Sequence, residues 1–152
     1  VKSFGIRSLT PGERALAFEV FGAALDSERV RILAQPLWPR AFVAGPSMIV
    51  WPGRAAPTDF ADAPLVTQAV FVHELTHVWQ AQTGVRLLRA KLRAGDSPAA
   101  YAYDLDRQPD FAALNIEQQA MVVEHAFLAA RGAPTPFAPD RYAAVAAGWR
   151  RV

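Results

Sequence analysis

His73-Glu74-Leu75-Thr76-His77 places two imidazoles four residues apart with a carboxylate between them. On a helix, residues at that spacing project from one face, one turn above the other, so both rings can reach a single ion. Glu74 then stands beside that ion without ligating it. A Lewis acid held there lowers the pKa of its bound water toward neutrality, and Glu74 takes the water's proton as it attacks an amide carbonyl. The chain has three His and no Cys, so the site must be built from imidazole and carboxylate. Zn2+ is the expected ion, on ligand type alone, since two His and a carboxylate also bind other divalent metals.

The elements around the motif have to hold it in place. Leu65, Val66, Ala69, Val70, Phe71, Val72, Leu75, Val78 and Trp79 recur with helical spacing. They predict one largely buried helix over residues 62–83, with Asp62 as cap, Pro64 in the first turn and Gly84 as stop. Two His and a Glu on a buried helix carry a large desolvation cost unless something satisfies them, and a metal does so. The competing reading is a pair of hydrogen-bonded core histidines.

A catalytic zinc site commonly takes three protein ligands, so a third must come from elsewhere. The positions after His77 carry Gln80 and Thr83 where a metzincin would need Gly and His. A second helical pattern runs from Asn115 as cap to Gly132 as stop. Within it Glu117 and Glu124 are two turns apart and share a face with Ala120, Met121 and Leu128. Glu117 is the favoured third ligand, with Asn115 and Gln118 as polar neighbours able to support its carboxylate. Glu124 is the reserve. His125 lies about 100° around the helix from Glu124 and reads as peripheral. Asp96, Asp104, Asp106 and Asp110 supply an aspartate alternative from the intervening segment.

Tyr101-Ala102-Tyr103-Asp104-Leu105-Asp106 alternates like a strand or extended loop between the two site helices. A phenol can donate to the oxyanion that forms when a carbonyl is attacked, which makes Tyr103, with Tyr101 as alternative, a candidate catalytic group. Upstream, Pro11 to Leu25 reads as an amphipathic helix capped by Thr10. A short strand is expected over Val30–Ala34 and a second through Met48–Trp51 between two prolines. Those prolines suit an edge strand, so Ser47 to Trp51 is where an extended substrate backbone is expected to pair.

At 152 residues and 52% hydrophobic composition the chain is read as one domain, residues 1–152, able to bury a core. The expected class is α+β, mostly helical with a small sheet beside the motif helix. Net charge is +2 with cations dispersed, which gives no ground for nucleic acid as a partner. The densest cationic group, Arg86, Arg89, Lys91 and Arg93, fits one helix face and a rim that attracts acidic substrates. No apolar run is long enough to span a bilayer, and no secretory signal pattern opens the chain. The expected location is cytoplasmic, or exported without a recognisable signal peptide.

The runs His73-Glu74-Leu75-Thr76-His77-Val78-Trp79-Gln80 and Asn115-Ile116-Glu117-Gln118-Gln119-Ala120 resemble the bacterial Vgr-related proteins, zincin-like domains found with type VI secretion components. More distantly they are similar to the HExxH domain of toxin-delivery and contractile-injection proteins. The resemblance implies a zincin-like fold and a gluzincin-type zinc site, with His73, His77 and Glu117 as ligands and Glu74 as base. It implies a metallopeptidase acting on a peptide or protein, with secretion-system components as partners. The alternative is a metal-binding accessory or adaptor module of a secretion system that cleaves nothing.

Overall fold

The motif helix is the centre of the molecule. In a computed structural model, which describes residues 5–152, helix α2 spans Leu65–Gln82. Phe71, Val72, Leu75 and Val78 on it are fully buried and share one face, which packs into the core. Helix α5, Ile116–Ala130, is its main packing partner and carries Glu117 at its buried N-terminal end. The helix expected over 62–83 starts later than that. Asp62 ends a 3-10 turn over Phe60–Asp62, and Pro64 precedes α2 as its N-cap residue. No side chain caps α2; Gln68 instead ties the preceding turn to the helix by donating from Nε2 to the carbonyls of Ala61 and Ala63 at 2.8 and 3.0 Å. Phe60 stacks on Phe71 with centroids 4.3 Å apart, which docks that turn on α2.

A four-stranded sheet lies against α2. Its strands are β1 (Gly5–Ser8), β2 (Arg31–Gln35), β3 (Phe42–Val43) and β4 (Met48–Pro52), in the spatial order β1-β2-β4-β3. Strand β2 pairs antiparallel with β1 and parallel with β4, while β3 pairs antiparallel with β4. The expected edge strand is therefore interior: β4 is flanked on both sides, and Ile49, Val50 and Trp51 on it are buried. The edge beside α2 is the two-residue β3, too short to show periodicity.

Helix α1, Pro11–Phe21, begins at Thr10 as expected. It stops at Gly22, short of Leu25, because Gly22 has φ +58° and pairs with Arg151 near the C-terminus. A Cβ there would lie 1.7 Å from the Arg151 carbonyl oxygen. Three further helices follow in chain order: α3 (Leu87–Ala94), α4 (Pro98–Tyr101) and α6 (Pro139–Val145), the last packed on α5. Tyr101 thus ends a short helix and Leu105 sits in a turn, so the strand-like alternation over 101–106 does not form a strand. No helix among the described residues is long and apolar enough to cross a membrane. The class is α+β.

Glu13 is completely buried and holds α1 to the rest of the fold. It accepts from both Arg7 nitrogens at 2.7 and 2.8 Å, from the Thr10 amide in a capping box, and from the Phe60 amide at 2.8 Å. Glu13→Ala leaves those donors without their acceptor inside the protein, so the expected loss is about 3 kcal/mol. Thermal unfolding should show a midpoint drop of roughly 10 °C. An unchanged midpoint would mean that water replaces the carboxylate at no cost.

Candidate metal centre

Helices α2 and α5 cross so that His73, His77 and Glu117 meet. The Nε2 atoms of both histidines lie 3.3 Å from the same carboxylate oxygen, Glu117 Oε2. One ligand atom from each of the three falls within 4.8 Å of the others, and this is the group among the described residues that can hold an ion. Zinc with nitrogen and oxygen ligands at about 2.1 Å in a tetrahedron places neighbouring donors about 3.4 Å apart. The observed spacing fits that demand. His77 and Glu117 are buried and His73 nearly so.

The electrostatics carry the same strain. Burial lowers the pKa of His73, but hydrogen bonding to Glu117 and Glu124 outweighs it and raises the imidazole to about 9. Burial works against ionised Glu117, yet the two histidines hold its carboxyl well below the ordinary range. Glu74 is pushed up by burial, only partly offset by His77 and His73. Its Oε2 is buried and has no hydrogen-bond partner among the described residues. A buried carboxylate oxygen without a partner is costly unless a cation or water meets it. The donor set, its spacing and this orphaned oxygen together fit a divalent metal.

The two α5 acids have different positions. Glu117 meets the Nε2 side of both rings, whereas Glu124 Oε2 lies 3.6 Å from Nδ1 of His73, on the ring's other side. Glu117 is thus the acid that converges with both rings, and Glu124 lies behind one of them. Asn115 and Gln118 do not support the Glu117 carboxylate. They cap α5 reciprocally and donate to the carbonyls of Ala100 and Ala102. The aspartates are engaged elsewhere: Asp104 and Asp110 in turns, Asp106 with Arg141, and Asp96 with Tyr101 and Arg40.

His73, Glu74, His77 and Glu117 line a cleft of about 1140 Å³. Phe42 and Val43 of β3 form one wall, and Leu87, Leu88 and Lys91 of α3 another. Arg86 also lines it, so two of the four clustered cations reach the cleft. Lys91 Nζ stands 4.0 Å from Glu117 Oε1, a neighbour that the sequence reading had not assigned. The two tyrosines separate. Tyr101 lines the cleft, with its ring 6.4 Å from that of His73 and its hydroxyl bonded to Asp96. Tyr103 does not line it. Its hydroxyl is held at 2.6 Å from both His125 Nδ1 and Tyr142 Oη, so the expected oxyanion donor is already committed to a packed polar cluster.

This arrangement can be set beside known proteins. The chain is similar to the solved effector domain of Pseudomonas aeruginosa VgrG2b, with a TM-score of 0.71 and 32% identity, over 95% of this chain and 84% of that one. The chain belongs to the family of that effector domain. It is also 32% identical over 151 residues to the whole type VI secretion system spike protein VgrG2b of Pseudomonas aeruginosa. That match takes in 91% of this chain but 14% of the spike protein, so the chain corresponds to a small part of it. No family model matches the chain. The Vgr-related, type VI secretion kinship read from HELTHVWQ and NIEQQA is therefore supported.

Proposed function

We propose that this domain is a zincin-like, zinc-dependent metallopeptidase of gluzincin type that acts in association with type VI secretion. The observation that carries the reading is the convergence of His73, His77 and Glu117 within 4.8 Å, with Glu74, whose Oε2 has no partner among the described residues, in the same cleft. His73, His77 and Glu117 would hold the ion. When bound, zinc supplies a Lewis acid that polarises a carbonyl and acidifies water. Glu74 accepts the proton of the attacking water and passes it to the leaving nitrogen, the work of a general base and then a general acid. The outer edge of β3 offers backbone groups to an extended peptide by strand addition, which moves that role from β4 to Phe42 and Val43. Tyr101 lines the cleft and Tyr103 does not, so Tyr101 is the phenol that would donate to the oxyanion on releasing Asp96. Peptide or protein substrates and secretion-system components are the partners this reading names.

The experiment is metal analysis followed by a peptide-library digest. About one zinc per chain is expected, with cleavage that stops on chelation and returns when zinc is restored. Tyr101→Phe should lower kcat with zinc retained, and Tyr103→Phe should leave kcat near the parent. A folded chain that cannot be loaded with metal would overturn the reading. The reverse ranking of the two tyrosines would return the oxyanion role to Tyr103.

A further inference from the structure

We propose that Gln80 and Gln119 form a neutral positioning relay that commits His77 to one ring tautomer and locks the two ligand-bearing helices together. This rests on the metal-site reading above. Gln80 lies three residues beyond His77 on α2 and is completely buried. Its Oε1 is 2.8 Å from His77 Nδ1. Its Nε2 donates to the backbone carbonyl of Ile116 at 3.0 Å and to Gln119 Oε1 at 2.9 Å. Gln119 in turn donates from Nε2 to the Phe111 carbonyl at 3.1 Å.

The relay has only one consistent set of donors. Backbone carbonyls only accept, so Phe111 fixes the amide of Gln119 with its nitrogen outward and its oxygen toward Gln80. That oxygen and the Ile116 carbonyl then require the Gln80 nitrogen, which leaves Gln80 Oε1 facing His77. Because Oε1 only accepts, Nδ1 of His77 carries the proton and donates, and Nε2 keeps its lone pair on the side of Glu117. Flipping either amide would set oxygen against oxygen. The anchor on Ile116 is one residue before Glu117, so the side chain that orients one ligand also fixes the backbone beside another. An amide does this without adding a fourth acid to a site that already holds Glu74, Glu117 and Glu124.

The test uses the whole domain loaded with zinc or with cadmium-113. Nitrogen-15 NMR of the cadmium form should show metal coupling at Nε2 of His77 and a protonated Nδ1. Gln80→Met should weaken zinc about 10–100-fold in competition with a chelator. Gln119→Met, which touches no ligand, should weaken it in the same direction by less. A purely structural pair would lower thermal stability and leave the zinc affinity of the folded protein unchanged. Folded Gln80→Met and Gln119→Met variants with parental affinity, or coupling through Nδ1 in the parent, would overturn the relay while leaving the metal centre intact. A parent that binds neither ion would overturn both.

Discussion

Glu74→Gln is expected to cut peptide turnover by about 10²–10⁴-fold, the span of a lost general base, while zinc content stays at the parental level. The substitution keeps shape and removes only the ability to take a proton. Glu74 is not among the three residues whose donor atoms converge, so no ligand is lost. Its Oε2 has no hydrogen-bond partner among the described residues, so no bond to that atom breaks. Burial already works against the charged form of this carboxyl. A neutral amide there should therefore leave thermal stability equal to or above the parent's. Rate, metal content and melting midpoint measured on one preparation separate the outcomes. A parental rate removes Glu74 from the chemistry, and loss of zinc would make it a ligand.

What the sequence disclosed depended on the length scale of each interaction. The imidazole spacing and the apolar pattern through residues 65–82 are local, and the helix carrying them could be read directly. The Asn115 cap was legible for the same reason, since a capping box closes within four residues. Glu117 came from a weaker signal, a shared helix face, and its choice over Glu124 leaned on Asn115 and Gln118, which turn out to cap the helix. The choice agrees with the observed convergence, but the physical reason is the crossing of α2 and α5, which no local pattern encodes. The misplacement of the sheet edge has a comparable cause. Prolines flank β4, but Pro46 and Pro52 lie at its ends and leave its interior free to pair on both sides. Strand β3 offered only Phe42 and Val43. Tyr103 was singled out by residue type, and its commitment to Tyr142 depends on a contact between residues 39 positions apart. Gln80 did leave a trace, an amide three residues after a candidate ligand on a buried helix. Its value appeared only once Gln119 and the carbonyls of Ile116 and Phe111 were in place.

Glu117→Ala should abolish stoichiometric zinc binding, whereas Glu124→Ala should weaken it by about 10–100-fold. The difference follows from which side of the imidazoles each carboxylate meets. Glu117 Oε2 is 3.3 Å from both Nε2 atoms, and removing it leaves two ligand nitrogens with no third donor in the group. Glu124 reaches only His73, from the Nδ1 side and at 3.6 Å. Its loss leaves three ligands in place and frees one ring to reorient. The two variants also differ in what they leave inside the protein. Without Glu117, His73 loses a hydrogen-bonded anion that offsets its burial, so in the metal-free variant it should give up its proton at a lower pH than in the parent. Chelator competition with each purified, folded variant measures the ranking, and histidine NMR at neutral pH reports the charge. Equal retention of zinc in both variants would place the third ligand outside α5.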